Sequence, residues 1–435
     1  MLFDRRPPYS HELAQAKIAA TGDIKAYNLI GYDAVGVGGF DLAGGLDFLQ
    51  ELAQQSTFTW LSANLVERAS GKPLFAPFIT RNLGGARVAI IGLTASTIAE
   101  EGLLDQRALL KDWSAVLPAL LPQLSGDHDF IVLLTDLPPT VCGAIARRFP
   151  TINLIVAATG EILNQEPRLL TPTTLFTATG KQGRYVGALA INWSPGHSWG
   201  EGQNHYLRLK NQEEELTRTT AQIEELRDKP ELASQLGNLE RRRNVLLEAL
   251  DELRQSRAAD PHSYFANSFQ AMDKRVGEDP QVAAVNLETR ATISELGRKM
   301  MAEARGGEPL RLPGFTGWRT CENCHPQVTA KWRETGHAEA YTTLVVKNRQ
   351  FNGDCLPCHV TGSEYSDPAQ LVSLAPELTG VGCEACHGPG QAHVDGQGRP
   401  MLREITANLC QGCHLPEHDG DFDFSRKVAK IRCNR

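Results

Sequence analysis

Four copies of Cys-x-x-Cys-His crowd the last quarter of the chain, and they constrain what it can fold into more than any other feature. They read Cys321-Glu-Asn-Cys324-His325, Cys355-Leu-Pro-Cys358-His359, Cys383-Glu-Ala-Cys386-His387 and Cys410-Gln-Gly-Cys413-His414. In each, two thiols can form thioether bonds to the vinyl groups of a haem, and the adjoining imidazole is placed to become the proximal iron ligand. The rivals are structural zinc and a disulfide framework. Zinc needs four soft ligands per metal and no trailing histidine. Histidine accounts for 12 of 435 residues. Four chance occurrences directly behind four such pairs have a probability below about one in a million. The motifs therefore predict four covalently bound haem c groups, with iron ligated by His325, His359, His387 and His414. Four macrocycles on residues 313–435 leave little room for a protein core, and the haems themselves are expected to form it.

Eight of the ten cysteines are consumed in this way, leaving Cys142 and Cys433. Cys142 lies in an amphipathic segment and reads as a small buried apolar residue. The length suits two or three domains, and 41% hydrophobic residues support ordinary globular cores. A net charge of −7 argues against nucleic acid as a partner. No apolar run approaches the roughly 18 residues of a transmembrane helix. Covalent haem attachment takes place outside the cytoplasmic membrane in bacteria, so a periplasmic or extracellular protein is expected. The opening Met1-Leu-Phe-Asp-Arg-Arg-Pro-Pro has no apolar signal-peptide core. Either the true start lies upstream or the export signal has been left out.

Residues 1–205 alternate strand-like and helical patterns. Val88–Thr94, Asp129–Thr135 and Ile152–Ala158 are short apolar runs of buried-strand type, separated by helical stretches at Leu109–Leu121 and Thr140–Arg148. This predicts a layered α/β domain. Residues 206–257 turn to Glu, Arg, Gln and Leu. Leu216 and Ile223 are seven apart, and after Pro230, which should break the seam into two helices, Leu232, Leu236, Leu239, Arg243, Leu246, Leu250 and Leu253 step by four and three. An antiparallel helical hairpin is expected, serving as a stiffener or a homo-oligomer contact. Residues 258–312 read as a helical connector, with an amphipathic helix over Glu288–Arg305. Residues 313–435 form a mostly irregular and helical haem domain.

The first domain resembles the metallophosphoesterase domain of the 5′-nucleotidase family. The likeness is carried by Gly31–Gly45, Phe58-Thr-Trp-Leu-Ser-Ala-Asn-Leu65, Val88–Thr94, Phe130–Leu137 and Ile152–Glu161. The family arrangement implies a two-metal site built from His, Asp and Asn. Here its Gly-Asn-His-Asp/Glu block is Gly38-Gly39-Phe40-Asp41, its Ser-His block is Thr135-Asp136, and its Gly-His-x-His block is Ala158-Thr159-Gly160-Glu161. The resemblance therefore implies a retained scaffold without phosphatase chemistry. Asp41, Asp136 and Glu161 remain as candidate ligands for one hard cation. The family's opening strand is expected to precede Met1.

Four irons with two histidines each need eight imidazoles. Besides the four proximal residues, the haem domain holds only His337, His393 and His418. At least one iron must take a ligand from elsewhere, use another residue, or stay five-coordinate. The segments Trp332–Tyr341, Gly382–Val394 and Cys410–Phe424 resemble the tetrahaem cytochrome c554 family over residues 313–435. That resemblance implies that His337 and His393 are distal ligands, each to a haem held by a different motif, and that the haems pack in close pairs. His418 either ligates a neighbouring haem or is a surface histidine. For the remaining iron the candidates are His262, Met401, Cys433 or none.

Six-coordinate haems exchange electrons and do little bond chemistry. The expected function is an exported tetrahaem electron carrier that meets redox partner proteins. Its first domain and hairpin would serve as docking or anchoring modules. The alternatives are an oxidoreductase acting on a small nitrogen or sulfur species at one five-coordinate haem, and a surviving phosphoesterase, which the missing histidines oppose.

Overall fold

The computed structural model describes residues 2–3, 12–95, 102–158, 165–178, 180, 183–200, 203–227, 229, 232–258, 262–273, 275–303, 308–396, 405–415 and 419–431. The chain forms two compact units. One gathers Met1–Tyr32, Ala43–Thr57 and Glu278–Arg435, and the other Asp33–Leu42 and Phe58–Gly277. Among the described residues no helix is long and apolar enough to cross a membrane.

The unit that begins at Asp33 is built on a six-stranded mixed sheet. Its spatial order is Phe78–Leu83, Ala86–Leu93, Phe130–Thr135, Leu154–Ala157, Thr174–Ala178, Gln165–Thr171. The three apolar runs of the sequence occupy adjacent positions and pair in parallel, Val88 opposite Phe130 and Val132 opposite Leu154. Continuous apolar strands of this kind are buried on both faces. One face packs Ile91, Leu133 and Ile155 against Leu117, Leu124, Cys142 and Ile145 of the helices Trp113–Asp127 and Pro139–Arg148. The other face packs Val88, Phe130 and Leu154 against Trp199 and Phe265. The unit is thus a layered α/β structure.

Two local expectations shift. Leu109 and Leu110 belong to a short strand paired with Leu65–Glu67, not to a helix. The helix starts at Trp113 because the Asp112 carboxylate caps it, accepting the Ser114 N–H at 2.8 Å. Residues Tyr264–Ala271, read as part of a helical connector, form a strand antiparallel to Tyr185–Asn192. The hairpin is present as the helices Gln203–Leu226 and Ala233–Ala258. Ile223, Leu246 and Leu250 are buried, and Arg242 Nε donates to Glu215 at 3.0 Å from one helix to the other. Pro230 lies outside the described residues.

In the other unit the helix Leu13–Ile30 packs on Pro280–Glu303. Gly22 makes the close approach possible, since a Cβ there would collide with Thr289 Oγ1. Lys25 pairs with Glu288, and Gln15 Nε2 donates to the Phe351 carbonyl at 2.8 Å. The first helix therefore belongs with the haem-motif segment, whereas sequence continuity groups it with residues 33–205. The motif segment consists of short helices, among them Trp318–Cys324, Leu356–His359, Cys383–His387, Gln391–Asp395 and Ala407–Gln411. It also has an apolar core of its own. Leu310, Leu312, Leu344, Phe351, Leu356, Val360, Leu371 and Leu374 are buried together around the second motif. The core expected from macrocycles alone is in this region supplied by the chain.

Candidate haem centres

Each motif lies on a helical turn, which brings its two cysteines, three residues apart, to one face with the histidine beside them. The rings of His325 and His393 have centroids 6.2 Å apart and planes at 21°. The rings of His337 and His414 are 6.1 Å apart at 59°. Two imidazoles bound trans on one iron, each nitrogen about 2 Å from the metal, have centroids about 6 Å apart. The donor sets therefore fit the group that the motifs call for. Each pair joins a motif histidine to one outside any motif.

Thiols of different motifs also meet. Cys321 of the first motif is hydrogen-bonded to Cys383 of the third, which holds the Cys321 pKa down. Cys413 of the fourth donates to Cys358 of the second, lowering Cys358 to about 7 and pushing Cys413 up. Burial raises Cys355 and Cys410. Burial lowers His337, with the His414 charge adding to the effect, and burial alone lowers His387. Both shifts favour the neutral imidazole, the form that binds iron.

Two motif histidines are held through ring Nδ1. His359 Nδ1 lies 2.6 Å from the Ala340 carbonyl, and His414 Nδ1 lies 2.8 Å from Asp419 Oδ2. Bonds of this kind fix the ring and leave Nε2 for the metal. Lys427 Nζ binds the same Asp419 carboxylate at 3.0 Å, and Phe422 stacks on the His414 ring at 4.8 Å. The Glu384 side chain, buried inside the third motif, accepts three backbone N–H groups. Sequence reasoning missed Glu384, Asp419 and Lys427. His418, Met401 and Cys433 lie outside the described residues. His262 belongs to the sheet-containing unit.

In that unit the phosphoesterase-like remnants serve the backbone. Asp41 is 1% exposed, and its carboxylate accepts the Gly38 N–H at 2.8 Å. Asp136 accepts the N–H groups of Gly39 and Ala95, each at 2.7 Å. Burial pushes the Asp136 pKa up, and the neighbouring Asp41 adds to this. Glu161 lies outside the described residues. Cys142 is fully buried, and burial pushes its thiol up to about 12.

Residues 320–388 match the family described as Cytochrome c554 and c-prime. The chain is 35% identical over 136 residues to cytochrome c-554 of Nitrosomonas europaea, covering 28% of this chain and 58% of that protein. It is also 37% identical over 83 residues to a 5′-nucleotidase of Vibrio parahaemolyticus, covering 19% of this chain and 15% of that one. A 5′-nucleotidase precursor from Thermus thermophilus superposes with a TM-score of 0.37 at 22% identity, over 41% of this chain and 39% of that structure. The chain thus spans less than two thirds of the length of these curated relatives, 58% of one and 15% of the other. It resembles the cytochrome c554 family in its C-terminal part and 5′-nucleotidases over a separate stretch of 83 residues.

Proposed function

We propose that this protein is an exported tetrahaem electron-transfer protein. Cys321, Cys324, Cys355, Cys358, Cys383, Cys386, Cys410 and Cys413 hold four haem c groups, and His325, His359, His387 and His414 are their proximal ligands. The observation that carries the reading is the pair of imidazole separations, 6.2 Å for His325–His393 and 6.1 Å for His337–His414. They support His393 as the distal ligand at the first motif and His337 at the fourth. The haems supply one-electron chemistry, and the chain fixes their ligands, burial and local charge. The sheet-containing unit is a non-catalytic scaffold, a reading supported by Asp41 and Asp136, which are engaged with backbone N–H groups. Redox proteins are the partners, and the helical hairpin is a site for a second copy of the chain.

The histidine count favours a second reading for one centre. With His337 and His393 assigned, His418 alone remains within residues 313–435 for the second and third motifs. One iron is then five-coordinate or takes a ligand from elsewhere, and a five-coordinate haem binds a small nitrogen or sulfur species. Low-temperature EPR of the oxidised, haem-loaded protein tests both readings. Low-spin signals unchanged by nitric oxide or nitrite support the carrier. A high-spin signal that shifts on addition supports the enzyme. A protein expressed with haem-attachment machinery that carries no covalent haem sinks both.

A further inference from the structure

We propose that Glu384 is the positioning residue of the His325–His393 pair, a role that rests on the multihaem reading. Glu384 occupies the first variable place of the third motif, yet its side chain serves the first haem centre. It is 2% exposed. Oε2 accepts the Gly317 N–H at 2.8 Å, and Oε1 accepts the N–H groups of Thr316 at 3.0 Å and Gly390 at 2.7 Å. Gly317 immediately precedes the helix Trp318–Cys324, which carries the first motif and ends at His325. Gly390 immediately precedes the helix Gln391–Asp395, which carries His393. A single carboxylate thus ties the approach to the proximal ligand to the approach to the distal one.

The local chemistry commits the residue to this task. A carboxylate taken out of water must be fully hydrogen-bonded, and three converging donors achieve that here. All three donors are backbone N–H groups, so none can rotate away to accept instead. Gly317 has φ +79°, and a Cβ there would lie 2.6 Å from Glu377 Cβ, so the donor's place is fixed by packing as well. Glutamine has nearly the same shape, but its amide nitrogen cannot accept. It therefore leaves at least one of the three N–H groups facing another donor. Aspartate keeps the charge but is one methylene shorter and cannot span all three.

The test uses the full chain matured with haem, in the wild type, Glu384→Gln, Glu384→Asp and His393→Ala, whose new side chain cannot bind iron. Haem content is read by pyridine haemochrome and iron spin state by low-temperature EPR. Four haems in the wild type are established first, because their absence sinks the multihaem reading and not this one alone. Both Glu384 variants are expected to keep four haems and to convert one low-spin signal into the signal that His393→Ala produces. The signals of the other centres should stay in place. The double variant Glu384→Gln/His393→Ala should add nothing to His393→Ala alone. Wild-type spectra in both Glu384 variants overturn the proposal. So does a failure of both to take up haem while His393→Ala matures, because Glu384 is then a general folding residue.

Discussion

His414 and Asp419 are joined by a 2.8 Å bond from ring Nδ1 to carboxylate Oδ2, and Lys427 holds the same carboxylate at 3.0 Å. The Lys427 ammonium and the His414 ring keep the Asp419 carboxyl below its ordinary range. A carboxylate on the far nitrogen makes a ligating imidazole more electron-rich and favours oxidised iron. Asp419→Asn should therefore raise the potential of one haem, while Lys427→Ala, which strips the counter-charge, should lower it. A tenfold change in relative affinity for the two iron states corresponds to about 60 mV, which sets the expected scale. A potentiometric titration followed optically reads both shifts. Movement in the same direction for the two variants would show that the bond only holds the ring in place.

The Asp136 carboxylate gives the N–H groups of Gly39 and Ala95 their partner. Asp136→Ala leaves two buried donors unmatched, at about 1–3 kcal/mol each, less the relief of no longer burying a charge. The net loss should be about 2–4 kcal/mol in urea unfolding of the sheet-containing unit. Added Mg²⁺ or Mn²⁺ should neither restore the loss nor produce hydrolysis of phosphate esters by the wild type. Metal-dependent hydrolysis that Asp136→Ala abolishes would make this carboxylate a ligand and the scaffold reading wrong.

What the sequence disclosed depended on how local the cause was. The strand Ala86–Leu93 was legible because its apolar, β-branched run is itself the signal, and its neighbours pair alongside it. The strand Tyr264–Ala271 was not legible, since its partner Tyr185–Asn192 lies beyond the whole hairpin. The segment around Leu109 looked helical until Asp112 capped the chain three residues later. The five residues of each Cys-x-x-Cys-His motif are contiguous, so the motifs are legible in the sequence itself. Which histidine outside the motifs comes near which motif is a matter of tertiary distance. Glu384 was hidden because it stands at a position the motif leaves free. Asp419 looked like one member of an acidic turn until the fold brought His414 and Lys427 to it.

Cys142 should be silent toward thiol reagents in the native protein. It is fully buried on the helix Pro139–Arg148, and burial lifts its pKa to about 12, so almost no thiolate exists at neutral pH. With the motif cysteines in thioether linkage, iodoacetamide labelling followed by mass spectrometry should modify Cys142 only after urea is added. Rapid native labelling of Cys142 would mean that the helix layer opens.

Asp23 offers a pH-dependent prediction away from the haem centres. It sits half-buried in the helix Leu13–Ile30, and burial raises its pKa from 3.8 to about 6. The folded value lies above the unfolded one, so the native state binds the extra proton between these values. Stability should therefore fall as pH rises from about 4 to about 6 and stay at the lower level above that. Two pKa units correspond to about 3 kcal/mol, and partial solvent access reduces this to about 1–2 kcal/mol. Asp23→Asn removes the charge, so it should stabilise the unit by that amount at pH 7.5 and by almost nothing at pH 4. Urea titrations at the two pH values measure the difference directly. An equal effect of Asp23→Asn at both would assign the change to altered packing on Pro280–Glu303 and not to the buried charge.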